Sequence, residues 1–197
     1  MADIGADAYW TNLHKWGFGY PTCSIMHSPR LGDLGHVVPS WTAGTGLFAE
    51  SRWTGTRDYA SFRTAPLSLA YLDDWRSVDG RTAMEHNRLG YRAAAAELRE
   101  AWGVGPAYDE EACTACMGMV RLPPNLDMSL DAPGKPSTPQ SVRSRLRDRF
   151  GVEAAVGGFP VGDGIEGFVR LSHAVYTSDE DVARLRDAVL VLLREEA

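Results

Sequence analysis

Only two of the twenty basic residues are lysines, Lys15 and Lys135, and the first stands in the densest run of reactive side chains, Asn12-Leu13-His14-Lys15-Trp16. A lysine amine partly shielded from water loses its proton more readily and becomes a nucleophile toward a carbonyl carbon. The neighbouring imidazole can donate a hydrogen bond to an anion held beside that carbonyl. The same pair is also compatible with a solvated surface role, the commoner fate of a lysine next to a histidine. A second cluster, Arg52-Trp53-Thr54-Gly55-Thr56-Arg57-Asp58, offers hydroxyls, backbone N–H groups and guanidinium ahead of a predicted helix. It suits either a phosphate held at a helix N-terminus or a glycine turn with Asp58 as the helix cap. The third, Phe168-Val169-Arg170-Leu171-Ser172-His173, puts Arg170 in an otherwise apolar strand. A buried guanidinium needs an anion, and its planar fork matches a carboxylate, either an internal Asp or Glu or that of an amino-acid substrate.

These residues need elements to hold them. Residues 1–57 are rich in Gly, Trp, Thr and Pro and read as strands and loops, with an apolar run from Phe18 to Met26 that suits a strand. The segment Ala2 to Trp16 lacks recognisable partner strands, as if the chain began inside a domain. Tyr59 to Trp75 and Arg81 to Trp102 predict two successive helices, the first kinked at Pro66 and the second stopped by Gly103. Met117 to Leu122 suits a strand, and 123–138, with four prolines, a surface loop in which Lys135 is solvated. Thr138 with Pro139 opens a helix closed by Gly151, and Val152–Val156 and Gly167–Leu171 follow as strands. The last helix is the clearest: Ser178 and Asp181 approximate a capping box, and Val182, Leu185, Ala188, Val189, Leu192 and Leu193 form one apolar stripe. From residue 80 the order helix, strand, helix, strand, strand, helix predicts an α/β unit, a small sheet with helices on one face.

Composition narrows the partners. With 197 residues, 44% hydrophobic and 23% charged, the chain can bury a core and is not a disordered segment. A formal net charge of −6 repels polyanions, which argues against nucleic acid. No apolar stretch approaches the about 18–20 residues that span a bilayer, and Asp3 and Asp7 replace the basic start of an export signal, so no membrane or export role is expected. Three cysteines, Cys23, Cys113 and Cys116, suit a reducing, cytoplasmic setting better than a disulfide framework.

Taken in order, Gly5-Ala6-Asp7-Ala8-Tyr9 with Asn12 to Trp16, then Trp53 to Asp58, then Val169 to Ser172, the motifs resemble the second half of the class V aminotransferase family of fold-type I pyridoxal phosphate enzymes. Within it the isopenicillin N epimerase-like branch is the nearest pattern. The resemblance implies that residues 1–75 are the C-terminal part of the cofactor-binding large domain and 76–197 a small C-terminal α/β domain. It implies that Lys15 holds pyridoxal 5′-phosphate as a Schiff base and moves the α-proton of an amino-acid substrate, leading to epimerisation, transamination or a lyase outcome. His14 and, in place of a more usual Ser or Thr, Asn12 would contact the cofactor. Gly55 and Thr56 would reach the phosphate of the neighbouring subunit's cofactor in a homodimer with shared sites, and Arg170 would bind the substrate carboxylate. The family's Gly-rich phosphate turn, its Asp on the pyridine nitrogen and its stacking aromatic lie ahead of the lysine, outside this sequence. The chain is accordingly expected to be part of a longer enzyme; the alternative is a catalytically inactive, truncated or degenerate module that folds, dimerises or binds a partner.

Other signals carry less. Cys113-Thr114-Ala115-Cys116 has zinc-knuckle spacing without a second pair, His27, His36, His86 and His173 lack metal spacing, and no metal is expected. Gly44-Thr45-Gly46 is too short for a dinucleotide fingerprint, and Asp109-Glu110-Glu111 reads as a solvated loop. Val152 to Val169 contains no cysteine, whereas cysteine desulfurases of the family carry their nucleophilic thiol just before the Arg-bearing strand, which argues against that activity.

Overall fold

A computed structural model describes residues 4–38, 41–109, 115–162 and 164–196, and the chain divides into two units, Met1–Trp75 and Arg76–Ala197. In the first unit β1 (Tyr9–Asn12) pairs antiparallel with β2 (Ser24–His27), in register from Tyr9 opposite His27 to Asn12 opposite Ser24. The opening segment therefore does find a partner strand, supplied by the distal end of the Phe18–Met26 run, while Phe18 to Tyr20 is irregular. Between the strands lies α1 (Leu13–Trp16), and beyond them come α2 (Leu47–Arg52), unforeseen in the sequence, and α3 (Ala60–Asp74), which continues through Pro66. Asp58 does cap locally: its Oδ1 accepts the Ala60 N–H at 2.8 Å. Few side chains of this unit are buried beyond Leu13 and Cys23, and none on α3.

The second unit holds the core. Helix α4 (Ala83–Trp102) starts at a capping box in which the Thr82 hydroxyl accepts the Glu85 N–H and the Glu85 carboxylate accepts the Thr82 N–H, and it stops where Gly103 turns left-handed. Strand β3 (Met117–Arg121), helix α5 (Val142–Phe150), strands β4 (Ala155–Val161) and β5 (Gly164–Ser172) and helix α6 (Asp179–Glu195) complete it. The sheet is antiparallel in the order β3-β5-β4. Residues at helical spacing on α4 (Tyr91, Leu98) and α6 (Val189, Leu192) meet Val120 and Val169 from the sheet and Leu146 from α5. Each such side chain removed from water contributes about 1.5–3 kcal/mol. The ion pairs of Glu195 with Arg149 and Arg145 tie the end of α6 to α5 and hold that carboxyl down at about 2.

Three expectations shift. Helix α5 begins after Ser141 rather than Thr138, because the Ser141 hydroxyl accepts the Ser144 N–H and Asp131 accepts the Val142 N–H at 2.8 Å. Strand β4 begins at Ala155, later than Val152, where pairing with Arg170 of β5 starts. The Pro-rich segment is no mere surface crossing, since Leu126 and Met128 enter the core and Met128 lies where a Cβ on Gly167 would sit. Lys135 is exposed, as expected. Cys113, Glu110 and Glu111 fall outside the described residues; Cys23 is a buried free thiol.

His173, at the end of β5, is 7% exposed, and its Nδ1 has no hydrogen-bond partner. Burial, and then the nearby His86, depress its pKa, with Asp179 pulling the other way. A histidine depressed in the folded state binds its proton more readily when unfolded, so its share of stability is present above the unfolded value near 6.5 and is lost as pH falls through the folded one. The denaturation midpoint of the second unit is expected to start dropping as pH falls below about 6.5, above the range of ordinary carboxylates, and the drop should shrink in His173→Phe. A midpoint in His173→Phe that falls as steeply as in the parent would show that another group is responsible.

Candidate active site

The β1–α1 corner brings three of the expected residues together. The Leu13 N–H donates to the Cys23 carbonyl at 3.0 Å, and the Leu13 carbonyl accepts from Gly17 and Gly19, so the chain folds tightly around one buried leucine. At Gly17 a Cβ would overlap the Leu13 side chain, which makes glycine the residue that allows the turn. Behind the corner, Phe18 and Thr22 both hold left-handed φ values, 53° and 71°, that side chains disfavour. Helix α3 keeps them there: Phe18 packs edge-on against Tyr71 with ring centroids 5.8 Å apart, and the Ser61 hydroxyl donates to the Pro21 carbonyl at 2.6 Å.

On this corner Lys15 is exposed and makes no hydrogen bond or ion pair among the described residues. The partial shielding expected of a nucleophilic amine is therefore not provided by these residues. His14 places Nδ1 3.3 Å from the Cys23 carbonyl, which leaves its other ring nitrogen for a ligand. Asn12 Oδ1 accepts from the Ser24 hydroxyl at 3.0 Å, which leaves its amide N–H groups as donors.

Gly55 and Thr56 lie apart, in the loop between α2 and α3. Gly55 has φ 115°, a conformation open to glycine alone, and Thr56 is exposed. The Tyr59 hydroxyl donates to the Gly55 carbonyl at 2.8 Å and accepts the Thr54 N–H at 3.3 Å. Burial pushes the Tyr59 phenol up, but the Thr54 hydrogen bonds and Arg57 outweigh it and lower its pKa overall. Sequence reading passed over Tyr59; its place four residues after the glycine was the available signal. The Gly44-Thr45-Gly46 loop is closed internally, because Glu50 accepts the N–H groups of His36, Gly44 and Gly46, and these contacts lower the Glu50 pKa.

Arg170 belongs to the second unit and is exposed, not buried, with no ion-pair partner among the described residues. It lines a cavity of about 380 Å³ with Ser172, Tyr176, Asp181 and Arg184. Asp181 is engaged by the Ser178 N–H and hydroxyl in the α6 capping box. The Arg170 guanidinium thus stays available to a carboxylate, in a space of amino-acid size. No group of three His, Cys, Asp or Glu residues is placed to hold a metal ion among the described residues, and none of their helices is long and apolar enough to cross a membrane.

No family model matches the chain. It is 36% identical to a probable chloroplastic L-cysteine desulfhydrase of Arabidopsis thaliana, over 99% of this chain and 42% of that protein. It is 34% identical to an L-cysteine desulfhydrase of the same plant, over 100% of this chain and 45% of the relative. A putative L-cysteine desulfhydrase of Oryza sativa subsp. japonica is 34% identical over 99% and 42%. The backbone superposes on the cysteine desulfurase CsdA of Escherichia coli with a TM-score of 0.62 and 16% identity, over 98% of this chain and 48% of that one. The chain has the fold of class V, fold-type I pyridoxal phosphate enzymes. It spans less than half the length of the curated relatives it matches. Those relatives are pyridoxal-phosphate-dependent. The donors of the β1–α1 corner fit that cofactor chemically: an amine on Lys15 that makes no hydrogen bond or ion pair among the described residues for its aldehyde, and amide and imidazole groups on Asn12 and His14 for its oxygens.

Proposed function

We propose that this chain is the lysine-bearing part of a pyridoxal-phosphate-dependent enzyme that acts on an amino acid. The observation that carries the reading is the Lys15 amine, unpartnered among the described residues and beside Asn12 and His14, in a chain with the class V fold. When bound, pyridoxal phosphate supplies an electron sink for bond breaking at the substrate Cα. Lys15 Nζ would hold the cofactor through its aldehyde carbon and would move the α-proton of the substrate. Asn12 and His14 contact the cofactor from the same corner, while Gly55 and Thr56 reach the phosphate of the neighbouring subunit's cofactor, so that two copies of the chain share their sites. Arg170 orients the substrate by pairing its guanidinium with the α-carboxylate.

For the reaction, the names of the relatives favour loss of the sulfur of L-cysteine as sulfide. The absence of cysteine from Val152 to Val169 agrees, because release of free sulfide needs no protein thiol to receive the sulfur. The epimerase-like or aminotransferase-like outcome is the second reading, favoured by the order of the three motifs. A reducing, cytoplasmic setting goes with the small number of cysteines, three in 197 residues, and with the free thiol of Cys23.

Incubation with pyridoxal phosphate, borohydride reduction and peptide mapping provide the test. The label is expected on Lys15 in preference to Lys135, which is also exposed. Equal labelling of both lysines, or none, would overturn the assignment. With L-cysteine as substrate, sulfide and pyruvate distinguish desulfhydration from epimerisation, which yields D-cysteine, and from transamination, which yields a keto acid that retains sulfur.

A further inference from the structure

We propose that Tyr59 is a positioning residue for the phosphate contact of Gly55 and Thr56, an inference that rests on the cofactor reading above. Its backbone and its side chain do different work. The Tyr59 carbonyl accepts the Phe62 and Arg63 N–H groups at 3.1 and 3.0 Å and so begins α3. Its hydroxyl reaches back over the preceding loop, donating to the Gly55 carbonyl and accepting the Thr54 N–H. The loop is thereby pinned to the first turn of a 15-residue helix at Gly55, whose φ of 115° is a conformation that glycine alone adopts readily.

The ring is held independently of the hydroxyl. Trp53 stacks on it at 5.4 Å with 12° between the planes, and the Arg57 guanidinium lies 4.9 Å from its centroid and 5.0 Å from that of Phe62. Such contacts fix the ring plane and so the direction of the hydroxyl. With the Gly55 carbonyl satisfied by Tyr59, the N–H groups of Gly55 and Thr56 and the Thr56 hydroxyl donate to no other group among the described residues. Three donors held at one bend are what a phosphate ester requires, and holding them beforehand lowers the ordering cost of binding.

The test compares pyridoxal 5′-phosphate with pyridoxal, which lacks the phosphate, by equilibrium dialysis against the unsubstituted chain, Thr56→Ala, Tyr59→Phe and Trp53→Phe. The unsubstituted chain is expected to prefer the phosphorylated form. Tyr59→Phe, which keeps the ring but loses the hydroxyl, should reduce that preference about tenfold, the scale of one lost hydrogen-bonded arrangement, with pyridoxal affinity unchanged. Amide hydrogen exchange at Gly55 and Thr56 should quicken while the second unit keeps its protection. Trp53→Phe, which keeps an aromatic ring stacked on Tyr59 and so its hydroxyl bonds, should retain the preference; a loss as large as that of Tyr59→Phe would show that the aromatic cluster, not the hydroxyl, sets it. If Tyr59→Phe keeps the full preference, or weakens both ligands alike, the positioning role is wrong even though Thr56→Ala loses the preference. If the unsubstituted chain shows no preference, or Thr56→Ala retains it, the phosphate reading of the loop itself falls.

Discussion

Lys15→Ala is expected to abolish reductive attachment of pyridoxal phosphate to the first unit, whereas Lys135→Ala leaves it at the level of the unsubstituted chain. Both amines are exposed, so accessibility alone does not separate them. What separates them is their surroundings: Lys15 shares its corner with the free amide of Asn12 and the free ring nitrogen of His14, while Lys135 follows Gly134 in a Pro-rich loop. In the reaction the amine nitrogen forms a bond to the aldehyde carbon with loss of water, and borohydride delivers hydride to that carbon, leaving a stable secondary amine. Lys15 makes no hydrogen bond or ion pair among the described residues, so its removal should change stability by no more than about 0.5 kcal/mol. Mass spectrometry of the reduced protein is the measurement. Undiminished labelling in Lys15→Ala would mean that the cofactor meets some other amine.

The second large effect is structural. Glycine to alanine within a helix ordinarily stabilises by about 0.5–1 kcal/mol. Gly90→Ala on α4 is expected to do the reverse, because a Cβ there would fall within the His173 imidazole. That ring has little room to retreat: the His173 N–H is bonded to the Cys116 carbonyl at 2.9 Å, its ring meets His86 with centroids 5.5 Å apart, and the adjoining Ser172 is paired with Met117. Overpacking of this kind costs about 1–3 kcal/mol, which exceeds the helix gain. Denaturant unfolding of the second unit should record the loss. Adding His173→Ala to Gly90→Ala should recover part of it, since the two residues act on the same space. A more stable Gly90→Ala protein would disprove the close approach of α4 to the end of β5.

The elements legible in the sequence are those whose causes lie within a turn or two of chain. Helix α6 was readable because Ser178 and Asp181 cap each other and Val182, Leu185, Val189 and Leu192 recur at helical spacing. Helix α4 was readable from its apolar face and from Gly103. Strand β4 was misplaced by three residues because its start is decided by pairing with Arg170, and α5 because Asp131, eleven residues earlier, takes the Val142 N–H. The burial expected of Arg170 failed for a related reason. The apolar character of Phe168, Val169 and Leu171 marks the strand, but alternation puts Val169 and Leu171 in the core and leaves Arg170 exposed beside the cavity.

For the site, the sequence by itself determined the chemical inventory: one lysine beside a histidine, a Thr-Gly-Thr turn before a helix, and an arginine in a late strand. These follow from residue identity and order, and the similarity of the whole chain to its desulfhydrase relatives rests on the same order. The tertiary structure alone decided which groups are already engaged. Cys23 takes Nδ1 of His14, Ser24 takes one side of Asn12, Glu50 closes the Gly44–Gly46 loop, and Tyr59 secures Gly55, while Lys15 and Arg170 have no partner among the described residues. The physical reason is that a hydrogen-bonding group chooses its partner by proximity in the folded chain, and proximity between distant residues is set by packing and strand pairing rather than by local preference.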